Sequence, residues 1–267
     1  MQALVNGIRM HWRETGRGDA VLFVHAFPLH GGMWDDQIDR LPQRWRWLAP
    51  DLRGFGGSEA GEGDGPLAMD LLADDLAAFL DAVGIDRAVL CGLSMGGYVA
   101  LAFWRWHSDR VRALVLSDTR AGPDTEQGRA WRRELAERVR REGAVAVADA
   151  MLPKLLAERT RRERPEIVDR VRSMIESTPP GTLVRALQGL ADRPDSTDLL
   201  PTIDVPTLVL VGEEDATTPV SEAEFLQRTI PDARLVVLPG AGHLPNLEAP
   251  EAFNRALVHF LEAIQGR

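Results

Sequence analysis

Short uninterrupted apolar runs recur along the chain, and most are separated by stretches whose apolar residues fall at helical spacing. Val21-Leu22-Phe23-Val24 is the first of them, and comparable runs follow at 45–48, 88–91, 113–116, 207–211 and 235–238. A run with no polar alternation is what a strand buried on both faces requires. Helical patterns occupy 71–83, 98–106, 221–229 and 250–264. Strands alternating with helices predict a mostly parallel sheet covered on both sides. Near the N-terminus, Asn6-Gly7 between Leu4-Val5 and Ile8-Arg9-Met10 predicts a tight hairpin instead.

The alternation stops between Arg120 and Asp195, where only helical stretches such as 130–142, 144–157 and 165–176 are found. This predicts an α/β core of residues 1–119 and 196–267, with a helical insertion at 120–195. Placed after the strand ending near Asp118, such an insertion covers the carboxyl ends of the strands, where open parallel sheets bind ligands. The insertion carries a net charge of +3, so the rest of the chain carries −12 of the total −9. Arg132, Arg133, Arg138, Arg140 and Arg141 read as a solvated helix face.

Composition narrows the class. Hydrophobic residues at 45% and charged residues at 27% suit a soluble globular enzyme. The net negative charge argues against nucleic acid as the main partner. No apolar stretch reaches the ~18 residues a membrane span needs, and no basic start leads into an apolar block. Cys91 is the only cysteine, so no internal disulfide forms, and a cytoplasmic location is expected. Lys154 is the only lysine among 31 cations. That bias fits arginine ion-pair networks or a GC-rich genome equally well.

The chemistry centres on Gly92-Leu93-Ser94-Met95-Gly96, a G-x-S-x-G turn between a strand pattern and a helix pattern. A serine hydroxyl needs a base, and the base in turn needs an orienting acid. His243, in the glycine-rich loop Pro239-Gly240-Ala241-Gly242-His243 after the last strand, is the expected base. Asp215, just past the strand 207–211 and followed by Thr217-Thr218-Pro219, is the expected acid. Glu213 and Glu214 compete only as solvated neighbours, whereas Asp118, also at a strand end, is the alternative acid. The order serine, acid, histidine favours Asp215. The expected oxyanion donors are the backbone N–H groups of Met95, directly after the nucleophile, and Phe27, in the loop after the strand 21–24.

His25 reads as bonding loop backbone, and Asp51, in Asp51-Leu52-Arg53-Gly54-Phe55-Gly56-Gly57-Ser58, as fixing loop structure. That loop matches neither phosphate-cradling nor dinucleotide-binding patterns. No His, Cys or carboxylate cluster has metal-ligand spacing, so no metal is expected. Trp34, Trp131, Met151 and Met174 are candidates to line an apolar pocket under the insertion, although residues of these types more often serve core packing.

Together these motifs resemble the α/β-hydrolase superfamily over essentially the full length, and within it the small bacterial carboxylesterases close to 3-oxoadipate enol-lactonases. Gly92 to Tyr98 and Arg193-Pro194-Asp195-Ser196-Thr197-Asp198-Leu199-Leu200 carry the narrower likeness. The resemblance implies a cofactor-free serine hydrolase with a helical cap, and a small cap closing over a confined site leads to the expectation of short to medium acyl esters. One departure is Ala26, where the family usually has glycine. A serine nucleophile separates the chain from haloalkane dehalogenases and epoxide hydrolases, which attack with aspartate. The alternative activity is enol-lactone hydrolysis, with Arg120 as the partner of a substrate carboxylate; peracid formation is a side reaction open to the same machinery. An alternative from another class is a hydrolase-fold receptor that binds its ligand, which a complete triad disfavours. The expected partner is thus a small ester or lactone, and the oligomeric state is left open.

Overall fold

The computed structural model describes residues 1–265. Asn6 and Gly7 both take positive φ (43° and 77°), closing the hairpin between β1 (Gln2–Val5) and β2 (Ile8–Thr15). Then follow β3 (Ala20–Val24), α1 (Asp35–Arg40), β4 (Arg46–Pro50), α2 (Met69–Ala82), β5 (Ala88–Leu93), α3 (Met95–His107) and β6 (Val111–Ser117). Five helices come next: α4 (Glu126–Glu142), α5 (Val145–Leu155), α6 (Glu158–Glu163), α7 (Pro165–Ser177) and α8 (Pro180–Ala191). The chain returns to the sheet with β7 (Thr207–Gly212), α9 (Val220–Thr229), β8 (Ala233–Leu238), α10 (Pro245–Glu248) and α11 (Pro250–Ile264).

The eight strands form one sheet in the order β1-β2-β4-β3-β5-β6-β7-β8. Strand β2 pairs antiparallel with both β1 and β4; every pairing from β4 across to β8 is parallel. The central strands β3, β5 and β7 are buried at every position, which is why their sequences show no alternation. The edge strand β8 is half-exposed along most of its length. None of the described helices is long and apolar enough to cross a membrane.

Helices expected at 71–83, 98–106 and 221–229 form with ends displaced by up to three residues, and α11 spans the expected range. Helix α8 carries Gly181, Thr182 and Gly189, which weaken any helical signal in isolation. Packing decides it: a Cβ at Gly189 would run into the Leu67 carbonyl, so the glycine allows α8 to lie against that loop.

Candidate active site

The turn from β5 into α3 consists of one residue. Ser94 has φ 54° and ψ −111°, outside the regions a non-glycine residue ordinarily adopts. The surroundings enforce this geometry. The Ser94 N–H donates to the Ser117 carbonyl at 2.9 Å, and the Ser94 carbonyl accepts from Gly97 N (2.9 Å) and Thr119 Oγ1 (2.9 Å). A side chain at Gly92 would collide with the Gly96 carbonyl, and one at Gly96 with the Val24 carbonyl. Both glycines are therefore required by close backbone approach.

Three side chains remote in sequence meet at this turn. His243 Nε2 lies 2.8 Å from Ser94 Oγ, and His243 Nδ1 lies 2.8 Å from Asp215 Oδ2. An ionised carboxylate can only accept a hydrogen bond, so Nδ1 carries the hydrogen and Nε2 is left as the acceptor facing the serine hydroxyl. Ser94 is 9% exposed, His243 1% and Asp215 5%, so the relay sits largely out of water. Asp215 is held from its other side as well. Its Oδ1 accepts from Thr217 N (2.7 Å) and Thr218 N (3.0 Å), and its Oδ2 from Thr218 Oγ1 (2.6 Å). Burial pushes the Asp215 pKa up, but the His243 interaction and these hydrogen bonds outweigh it and hold the carboxyl below its ordinary value. It stays ionised.

Asp118, the alternative acid, lies behind this pair. Its Oδ1 accepts from Gly212 N (2.8 Å) and its Oδ2 from Ser117 Oγ (2.7 Å). Burial and the neighbouring Asp215 carboxylate push its pKa well above the usual carboxylate value. Asp118, Asp215 and His243 each offer a ligand atom within 4.8 Å of the others, the one such grouping of potential metal ligands among the described residues. Those atoms are already committed to hydrogen bonds within the relay and to Gly212 and Ser117, so the grouping functions as a hydrogen-bond cluster.

The loop after β3 approaches from the other side. Met95 is the first residue of α3, so its N–H has no acceptor within the helix and points outward from the helix start. Phe27 precedes a cis bond to Pro28, and the Leu29 N–H closes a turn onto the Ala26 carbonyl at 2.9 Å. His25 supports this loop as the sequence suggests. Its Nε2 accepts from Leu52 N at 3.0 Å and its Nδ1 faces the Ala26 carbonyl at 3.1 Å. Asp51 likewise fixes loops, accepting from Gly31 N (2.7 Å) and Gly57 N (2.8 Å) and contacting His11 Nδ1 (2.9 Å).

The residues expected in a pocket under the helices separate into different environments. Trp34 is fully buried, stacked on Phe23 at 4.7 Å between centroids and packed against Phe253. It belongs to the central core, because the short turn Gly31–Trp34 directs it inward. Met174 is buried on α7, while Met151 on α5 and Trp131 on α4 are half-buried, with Lys154 Nζ 5.0 Å from the Trp131 ring. Arg120 donates to Asp124 Oδ1 at 2.7 Å.

Glu248 is a residue the sequence reading passed over. Its Oε1 accepts from Gly242 N (2.9 Å) and Leu244 N (3.3 Å), the two amides flanking His243. Its Oε2 accepts from Ala157 N (2.8 Å), in the turn between α5 and α6. One buried carboxylate thus ties the histidine loop to the helical segment. Its only sequence signal was a lone acidic residue in the otherwise uncharged run from Gly240 to Pro250. Thr218 was visible as part of Thr217-Thr218-Pro219 without its role being apparent.

Comparison with known proteins agrees with this fold. A family profile describing the alpha/beta hydrolase fold matches residues 19–250. A thermophilic esterase from Thermogutta terrifontis, solved with malate bound, is similar in structure with a TM-score of 0.94 and 45% identity, covering 99% of this chain and 98% of that one. The enol-lactonase from Burkholderia xenovorans LB400 gives a TM-score of 0.91 at 30% identity, covering 98% of this chain and 100% of that one. By sequence, 3-oxoadipate enol-lactonase 1 of Acinetobacter baylyi is 28% identical over 246 residues, 92% of this chain and 90% of that protein. With the parallel sheet, the strained serine turn and a profile match spanning most of its length, the chain belongs to the alpha/beta hydrolase fold family.

Proposed function

We propose that the protein hydrolyses carboxylic esters of short to medium acyl chain through an acyl-enzyme, with Ser94 as nucleophile. The observation that carries this reading is the unbroken relay from Asp215 through His243 to Ser94, both links at 2.8 Å, ending at a serine on a strained turn. His243 Nε2 takes the hydroxyl proton as Ser94 Oγ bonds to the ester carbonyl carbon. Negative charge collects on the carbonyl oxygen, and the N–H groups of Phe27 and Met95 hold it. Collapse breaks the C–O bond to the alcohol, which leaves with the proton from His243. Water then loses a proton to His243 and attacks the acyl carbon; collapse breaks the bond to Ser94 Oγ, which takes that proton back from His243 as the carboxylic acid leaves. Asp215 keeps Nδ1 protonated and stabilises the imidazolium in both halves.

In this reading residues 120–195 form a cap over the carboxyl ends of the strands, and residues 1–119 with 196–267 form the core. Glu248 ties the two at the histidine loop. A cap closing over a confined site favours short to medium acyl groups. Enol-lactone hydrolysis is the second reading, favoured by the likeness to two enol-lactonases. Arg120, the candidate for holding a substrate carboxylate there, already gives its Nη2 to Asp124. Purified protein and Ser94→Ala are assayed on nitrophenyl esters of increasing acyl length and on a dicarboxylic enol-lactone. Loss of at least about 10³-fold in Ser94→Ala is expected. Equal rates for the two proteins would remove the proposal, and strong preference for the lactone would select the second reading.

A further inference from the structure

Where the helical segment leaves and rejoins the sheet, the two chain ends are joined by an unusual charge cluster. Asp124, 3% exposed, receives three guanidinium groups: Arg120 Nη2 at 2.7 Å, Arg193 Nη1 at 2.5 Å, and Arg132 Nε. Arg129 adds a bond to the Asp124 carbonyl at 2.7 Å. The outgoing end is stitched to the incoming one through Arg193 Nη2 to Gly122 O (2.8 Å) and Ser196 N to Ala121 O (3.1 Å). One carboxylate against three guanidiniums leaves the cluster cationic. Arg105, nearby, already has Asp70 at 3.5 Å, and Asp195 and Glu222 act on the cluster only from beyond ion-pair distance.

Arg120 Nε and Arg193 Nε are buried and have no hydrogen-bond partner among the described residues. Arg193 is 5% exposed and sits over the Tyr98 ring, its guanidinium carbon 4.2 Å from the centroid. An unpaired N–H of a charged group at such a site is expensive to leave unmade. Both arginines line one hollow, together with Tyr98, Arg105, Ala121 and Ser196. The centre of a small occupant has about 10 Å³ in which to sit, and no carboxylate lines the hollow.

We propose that this hollow binds one monatomic anion, a halide such as chloride, held by Arg120 and Arg193 through their unpartnered Nε–H groups. A water would satisfy the donors but leave the excess charge. The bound ion bridges the incoming residue 120 and the outgoing residue 193, so it locks the neck of the helical segment onto α3. This assignment does not depend on the proposed esterase chemistry, since neither readout below uses activity.

Thermal unfolding of the full chain is followed in sodium chloride and in sodium gluconate at matched ionic strength. Chloride at about ten times its Kd is expected to raise Tm saturably by about 3 °C over gluconate. Arg120→Gln and Arg193→Gln should each lose that difference. If Arg193→Gln fails to fold, Arg120→Gln alone carries the test. Crystals soaked in bromide should show one anomalous peak between the two Nε atoms. A water with no anomalous signal in the hollow overturns the proposal. So does equal Tm in the two salts, or a chloride effect that survives Arg120→Gln.

Discussion

At the scale of single residues, Asp215 and Asp118 present the sharpest contrast, because both are buried beside His243 and only one contacts it. Asp215 is ionised and hydrogen-bonded to Nδ1. Replacing it with Asn removes the acceptor and permits the wrong histidine tautomer. Asp215→Asn should lower kcat by ~10⁴. Asp118 is pushed toward its neutral form, and an amide is close in shape and charge to a protonated carboxyl. Asp118→Asn should leave kcat/KM near wild type, and steady-state kinetics on both variants decide between the two acids. His25 supplies a pH dependence of stability. Burial lowers its pKa to about 4, against an ordinary value of 6.5. Between those values the unfolded chain holds the proton and the folded chain does not. The stability it supplies is therefore complete above about pH 6.5 and is lost as pH falls toward 4. Tm measured across that window should fall less steeply in His25→Asn than in wild type.

Among elements, the turns at strand ends matter more than the strands. The β5–α3 turn was legible because its demands are local: a strand, a helix start, and glycines where backbones nearly touch. The histidine loop was only half legible. Its glycines marked it, but the carboxylate that fixes it lies on α10, five residues beyond the histidine. Glu248→Ala would leave three buried amides without their acceptor. A stability loss of about 3 kcal/mol or more is expected, at 1–3 kcal/mol for each group that water does not reach. Chemical denaturation measures the first effect. A fall in kcat larger than the change in KM would show that His243 itself has been displaced. Helix α8 makes the same point, since its contact with the 67–68 loop, not its own propensity, explains Gly189.

For the whole molecule, the helical segment is connected to the sheet by charge as well as by packing. Asp124 has its pKa held at about 2 because Arg132 and Arg193 outweigh the cost of its burial. Asp124→Ala strands three guanidiniums in a largely buried position, and removing one partner of such a cluster typically costs about 3–5 kcal/mol. The urea midpoint should fall accordingly, with the slope unchanged if unfolding remains two-state. Arg132, Arg133, Arg138, Arg140 and Arg141 suggest a solvated helix face. That description fits Arg133, Arg140 and Arg141, which are exposed, and Arg138, which is half-buried and paired with Glu142, but not Arg132, which points inward to Asp124 as Arg193 does. A one-dimensional charge pattern cannot distinguish them, because the partner carboxylate lies in the connecting loop.

The amino-acid order by itself determined what periodicity and close backbone approach dictate: a parallel sheet with helices, a break after β6, and a serine on a glycine-flanked turn. It also singled out His243 as the candidate base, because that histidine lies at a strand end after the serine. Only the tertiary structure decided what depends on distance and burial. It placed Trp34 in the central core, made Asp215 the histidine's partner with Asp118 behind it, and joined Glu248 to the histidine loop. The physical reason is that propensity and spacing act over a few residues. Desolvation, ion pairing and hydrogen-bond satisfaction instead depend on which groups the completed fold brings together.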